Sequence, residues 1–423
     1  MREIVLPVDI SAKAKSEIRD LVNDNCGDGV DMLPFLGVCV VGDGVHTRKA
    51  LFSHAQFSQN VPLGNSRRDM CWLASCTKLV TSIACMQLVE KGVLLFDDAD
   101  QLETLCPELK KIQIAQDDGS VIGKGGRITL RMLMTHTAGF GYSFLNPKLL
   151  AYCQQYGQET GKINEFNEFS GDASHFQQPL VNIPGEMFEY GISMDWVGIA
   201  IERVAHLSLN EYMQTHIFEP LGIQDLTMFP SVELQERLVG FWERDEEGHV
   251  AQRSFPLKPQ SEETSGSFCS GGAGLFGSLE EFSKILATLL CDGISPATGN
   301  KILQQATVKE MFRNQLEKWP NFARRHLPAV KPDLVYPAGA LYPPCEAPTP
   351  QGWGLSFMIS PGPTGRSNTT ASWSGLSNVF WWCDRENHVA GIVGSQLLPF
   401  ADPQTASLWV STEQKVYEGL RQE

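Results

Sequence analysis

Two residues one helical turn apart could carry out nucleophilic chemistry. In "LASCTKLVTSIACMQLVEKG" (73–92), Lys78 is the only charged residue from Leu73 to Val89. A helix that is apolar nearly all round is buried, and lysine is seldom fully buried unless paired. Taking its charge out of water is costly unless the charge is lost or compensated. At helical spacing Ser75, Lys78, Ser82 and Cys85 share one face, so Ser75 and Lys78 can touch. A serine hydroxyl becomes a nucleophile when a nearby base takes its proton. A desolvated lysine favours its neutral form, which is such a base. The start of a helix also sets backbone N–H groups and the positive end of the dipole near developing negative charge. The pair alone admits a plainer reading, with Ser75 an N-cap and Lys78 reaching out to water.

Such a pair needs a scaffold. "FLGVCVV" (35–41) and "KALFSHAQF" (49–57) read as paired strands around "GDGVHTR". Residues 8–24 read as an amphipathic helix with Ile10, Ala14, Ile18 and Leu21 on one stripe. The helix from Leu73 should close at Gly92, where a C-terminal cap belongs. From 97 to 275 helical patterns and polar loops dominate. "RITLRMLMTHTAGF" carries a helical stripe ending near Gly139, and "SMDWVGIAIERVAHLSLNEYMQTHIFEPLG" gives two short helices before Pro220. Ser278 and Glu281 form a capping box before the next amphipathic helix. The Pro-rich segment 313–352 has the length of a lid, a site wall or a flexible segment. "WGLSFMIS", "TTASW", "NVFWWCD" and "HVAGIVGSQLL" read as successive antiparallel strands with a turn at "DRENH", and a helix over 401–421 closes the chain. Strands at both ends and helices between them predict an α+β fold. Its antiparallel sheet is built from residues 1–96 and 276–423, flanked by helices, with a mostly helical insertion over 97–275.

Composition bounds the partners. The chain has 423 residues, 42% of them hydrophobic, enough for a sizeable core. A net charge of −15 argues against nucleic acid and against an anionic membrane surface. No apolar run approaches the roughly 20 residues of a membrane span, and "MREIVLPVDISAKAKSEIRD" lacks the pattern of a signal peptide. Eleven cysteines occur without zinc or redox spacing, so no metal or cofactor is expected, and the thiols read as free in a cytoplasmic protein.

"SCTKLVTSIACMQLVEKGVLLFDD" resembles the nucleophile helix of the serine β-lactamase and penicillin-binding-protein superfamily, in its class C, esterase and transesterase branch. "ITLRMLMTHTAGFGY", "IPGEMFEYG" and "GGAGLFGSLEEFSKI" resemble further segments of that branch in the same order, so the resemblance spans roughly 10–415. It implies a β-lactamase-like fold. It makes Tyr190 the partner of Lys78 in moving the proton of Ser75, chemistry open to a phenol beside a cation. The family motif continues Y-x-N, whereas position 192 is Ile and Ser193 is the nearest polar stand-in. "YGISMDW" is similar to fungal lovastatin-type transesterases. Where β-lactamases carry K-T-G, this chain has Trp373-Ser374-Gly375, a form similar to the esterases and transesterases. Tryptophan cannot ion-pair a drug carboxylate, so penicillin hydrolysis is not expected. Gly375 lets a backbone approach a ligand closely, and by resemblance the N–H groups of Ser75 and Leu376 form the oxyanion hole. Trp373, Gly375, Ser193, Tyr142 and Trp353 are the expected substrate-binding residues. His136 suggests a Ser-His-Asp triad, but no G-x-S-x-G elbow is present, and it reads as structural.

The reaction so implied is acyl transfer through an acyl-serine. A short acyl group passes from a thioester, on an acyl carrier protein or CoA, to an alcohol of a polyketide-type small molecule. A carboxylesterase using the same residues, and a non-catalytic binding protein of the same fold, are the competing expectations.

Overall fold

Continuous apolar runs form the central strands because both faces of the sheet are covered. In the computed structural model β1 (Phe35–Gly42) is buried along its whole length, and so are β5 (Ala371–Gly375), β6 (Val379–Asp384) and β7 (Val389–Gly394). With β2 (Ala50–Phe57), β3 (Gly352–Trp353) and β4 (Met358–Ile359) they make one antiparallel sheet in the order β2-β1-β7-β6-β5-β4-β3. The structure describes residues 7–29, 31–59, 61, 69–160, 165–261, 267–317, 329–337, 341 and 351–421. The sheet is therefore built from both chain ends, in an α+β fold.

Strand alternation assigns the covers. Cys383 of β6 directs its thiol to the Leu286 carbonyl of α4 (Leu279–Leu290). On the opposite face Phe380 stacks at 4.8 Å on Trp409 of α5 (Pro403–Leu420), and the Tyr417 hydroxyl donates to Asp384 at 2.9 Å. The N-terminal helix α1 (Ala12–Asn25) packs on α5. Ser11 caps α1, and its buried stripe is Ala14, Ile18 and Val22, one residue on from the expected Leu21.

The segment expected as one helix from Leu73 divides into a tight 3₁₀ turn, Ala74–Cys76, and α2 (Thr77–Glu90), followed by Gly92 at φ 68°. The helix expected to end near Gly139 is only Leu130–Met134, capped by Thr129. "SMDWVGIAIERVA" forms α3 (Ser193–Ala205). The middle of the chain is less purely helical than its pattern. It holds a hairpin of Gln113–Ala115 with Val121–Gly123, and another of Trp242–Arg244 with Val250–Gln252 that Leu397–Leu398 joins. The capping box at α4 is half formed. Ser278 accepts from the Glu281 N–H, but the Glu281 carboxylate is taken by the N–H of Gln224 and by Lys284. Most of the Pro-rich 313–352 segment lies outside the described residues. No disulfide joins the described cysteines, and no described helix is long and apolar enough to cross a membrane.

Candidate active site

The short strand Cys71–Trp72 pairs with Phe276–Gly277 and delivers the chain into the turn that holds Ser75. Ala74 stands there at φ 45°, a left-handed conformation that costs a residue with a Cβ about 1–3 kcal/mol. Its surroundings impose it. The Thr77 hydroxyl donates to the Ala74 carbonyl at 2.6 Å and accepts from Leu275 N–H at 3.0 Å, while Leu73 N–H bonds to the Leu275 carbonyl at 2.9 Å. β5 closes the other side, where a Cβ on Gly375 would stand 2.5 Å from the Leu73 carbonyl oxygen.

Lys78 is fully buried one turn further on. Its Nζ lies 3.1 Å from Ser75 Oγ, 2.9 Å from the Tyr142 hydroxyl and 2.9 Å from the Gly272 carbonyl. Three acceptors suit an ammonium, and a neutral amine bonded to two of them aims its lone pair at the third. Burial pushes its pKa down to about 7, against the opposing pull of the Asp195 carboxylate. Asp195, in the first turn of α3, is buried and its own pKa is raised by burial. One carboxylate oxygen accepts from Ser270 Oγ at 2.6 Å and from Gly272 N–H at 3.0 Å. The carbonyl of that same Gly272 holds the lysine.

Asp195, Ser270 and Gly272 were not among the residues expected from the sequence. Asp195 carried a legible signal, being the only charge from Gly191 to Ile201, the same contrast that singles out Lys78.

Tyr142 was expected only to touch substrate, yet its hydroxyl is a direct partner of Lys78. Burial foremost, then the charges of Asp195, Tyr190 and Glu168, hold this phenol well above its usual pKa, while its hydrogen bond with Ser75 acts the other way. It is a neutral phenol at neutral pH. The buried Glu168 fixes the following residue, accepting from Ser143 N–H at 2.6 Å and Ser143 Oγ at 3.0 Å. Tyr190 lies in the same cluster, its ring centroid 4.8 Å from Lys78 Nζ and its hydroxyl accepting from Trp373 Nε1 at 2.9 Å.

A pocket of about 560 Å³, open mouth included, ends on Ser75. Tyr142, Tyr190, Trp373, Ser374, Gly375 and Leu376 form its inner wall, and Phe144, Leu145, Phe169, Val335 and Phe400 make the rest apolar. Five of the expected residues thus meet Ser75 at this pocket: Tyr142, Tyr190, Trp373, Gly375 and Leu376. Two expected substrate contacts do not line it. Trp353 is fully buried behind the wall, edge-on to Trp373 at 4.7 Å. Ser193 is buried at the start of α3, where Ile192 occupies the N-cap position, and its hydroxyl has no hydrogen-bond partner among the described residues. His136 packs under Tyr190 at 4.7 Å, accepts from Gly191 N–H at 3.4 Å, and is held well below its usual pKa by burial and then by the Lys78 charge. It is a neutral packing residue.

The beta-lactamase family model matches residues 28–409. Monacolin J acid methylbutanoyltransferase of Aspergillus terreus is 30% identical over 366 residues, 83% of each chain. A lovastatin esterase of Penicillium rubens is 32% identical over 361 residues, 82% of this chain and 85% of the relative. Among solved structures, unliganded simvastatin synthase from Aspergillus terreus superposes with a TM-score of 0.76 at 25% identity, covering 97% of this chain and 98% of the other.

Proposed function

The chain belongs to the beta-lactamase family, an enzyme of its serine hydrolase and acyltransferase type, and from that premise we propose that it moves a short acyl group from a thioester to an alcohol of a polyketide-type small molecule. The observation that carries this is Ser75 Oγ, 3.1 Å from a buried lysine, at the foot of an apolar aromatic pocket. The similarity to a methylbutanoyltransferase over 83% of both chains supports a short branched acyl group.

In the proposed reaction neutral Lys78 takes the Ser75 proton as Oγ attacks the thioester carbonyl. The N–H groups of Ser75 and Leu376 hold the oxyanion. Tyr190 passes the proton on to the departing thiolate, and Tyr142 with the Gly272 carbonyl keeps the amine on Ser75. The acceptor alcohol then enters, loses its proton by the same route and takes the acyl group. The donor is an acyl carrier protein or CoA thioester. The apolar walls favour a hydrophobic acceptor over water.

A hydrolytic reading has its own support in the 32% identity to a lovastatin esterase. Intact-mass measurement on a panel of short acyl thioesters separates the two. An acyl adduct that is absent in Ser75→Ala, and that a hydrophobic alcohol discharges faster than buffer does, is the expected result. Rapid discharge to water whatever the alcohol would replace the transferase with the esterase.

A further inference from the structure

Two turns meet at the end of the sheet remote from Ser75. Gly42 of β1 and Asp384 of β6 both pair with Val389, whereas Gly375 pairs with Val379 at the other end of these strands. Asp43 follows β1 and is buried. Its Oδ1 is occupied by the N–H groups of Val45 and His46, each at 2.8 Å, and of Thr47 at 3.1 Å. Its Oδ2 faces two imidazoles, His46 Nδ1 at 2.6 Å and His388 Nδ1 at 3.0 Å. The rings lie face to face, 3.8 Å apart and inclined by 17°. The backbone around them is tied down. Thr47 Oγ1 donates to the His388 carbonyl at 2.5 Å, and the Cys291 thiol donates to the Asp43 carbonyl at 3.2 Å.

We propose that Asp43 Oδ2, His46 Nδ1 and His388 Nδ1 bind one divalent transition-metal ion of the Zn²⁺ class. One ligand atom from each of these three residues lies within 4.8 Å of the other two, and the residues come from two separate turns. Two imidazoles and one carboxylate are borderline donors, suited to Zn²⁺, Co²⁺ or Ni²⁺ rather than to Mg²⁺ or Ca²⁺. Tetrahedral zinc at bonds of about 2.0–2.1 Å keeps its ligand atoms about 3.3 Å apart. The Asp43–His46 contact therefore widens on binding, and His46, 61% exposed, is the side chain able to swing. The fourth position is left to water. The three amide bonds to Oδ1 hold the carboxylate in place, the support that a metal ligand requires. On binding, each imidazole presents its Nδ1 lone pair to the ion and carries its proton on Nε2. The ion would join the turn after β1 to the turn before β7. The sequence hides the site because its two histidines lie at opposite ends of the chain.

The test is titration of the chelator-treated, desalted full chain with Zn²⁺ by calorimetry and with Co²⁺ by visible absorption. Expected are one ion per chain, tetrahedral Co²⁺ bands, and a melting temperature raised by about 3 °C at a hundredfold excess over Kd. His46→Ala and His388→Asn should each abolish stoichiometric binding while Ser75 still labels with a fluorophosphonate. Asparagine at 388 tolerates the left-handed backbone (φ 55°) found there. Absence of saturable binding by the wild-type chain, or binding unchanged in both variants, would overturn the proposal.

Discussion

At neutral pH Lys78 sits near the midpoint of its titration, because burial brings its pKa to about 7. Only the neutral amine can take the Ser75 proton. Acylation should therefore rise about tenfold per pH unit below that value and level off above it, measured as the rate of fluorophosphonate labelling against pH. The Asp195 carboxylate favours the ammonium form. Asp195→Asn removes that anion, and the acidic limb should move to lower pH. A variant that merely loosened packing would slow labelling without moving the limb. Tyr190→Phe tests the proposed second proton carrier. It should slow acyl transfer by about 10²–10⁴-fold while Ser75 stays in place, and an unchanged rate would hand the role to Tyr142. The sequence made Ser75 and Lys78 legible because a lone charge contrasts with an apolar helix. It could not show that Tyr142 reaches Lys78, since that contact depends on a loop 64 residues away, pinned by Glu168.

Strand β5 passes so close to the turn that holds Ser75 that its last residue must lack a side chain. Gly375→Ala would set a Cβ 2.5 Å from the Leu73 carbonyl oxygen and 3.3 Å from the Ala74 Cβ. The turn or the strand must yield, separating the N–H groups of Ser75 and Leu376. We expect acylation to fall by about 10²–10³-fold, the scale of one lost oxyanion donor, with a stability loss of about 1–3 kcal/mol from overpacking. Gly123→Ala, in a strand where a Cβ meets nothing within 4 Å, is the control and should change neither labelling nor the denaturant midpoint. Elements as a class were readable where both faces are buried, as in "FLGVCVV" and "NVFWWCD". They were misread where a distant contact interrupts the pattern. "WGLSFMIS" breaks into β3 and β4 because Ser356 stands at φ 73° with its N–H on the Met134 carbonyl at 3.0 Å. The hairpin across Asp245–Gly248 had its turn signal in "DEEG" and was hidden by the helical patterns around it.

The whole molecule depends on its two ends meeting, since the sheet takes β1 and β2 from one and β3 to β7 from the other. Helices α1 and α5 lie together across this junction. Ser11 N–H bonds to the Gly419 carbonyl at 3.2 Å, and a Cβ on Gly419 would stand 2.6 Å from the Ala14 Cβ. A charged clamp adds to the Phe380–Trp409 stack and the Tyr417–Asp384 bond that seat α5 on the sheet. Glu413, with no exposed surface, receives the Arg366 guanidinium in a two-pronged ion pair and the Thr364 hydroxyl at 2.5 Å, while Arg366 also reaches Ser372 of β5 at 3.1 Å. Removing one member of such a pair strands the other charge in the interior. Glu413→Ala should cost about 3–5 kcal/mol, which for a chain of 423 residues lowers the melting temperature by about 3–5 °C. A buried ion pair repays little of its own desolvation, so Arg366→Met with Glu413→Leu should recover most of that loss in thermal denaturation. If the double variant melts as low as the single one, the cost lies in lost packing between α5 and the sheet and not in the stranded guanidinium. In either case Ser75 should label normally well below the transition, because the clamp reaches β5 at Ser372, on the face of the sheet away from α4, and bonds neither to Lys78 nor to a residue that lines the pocket.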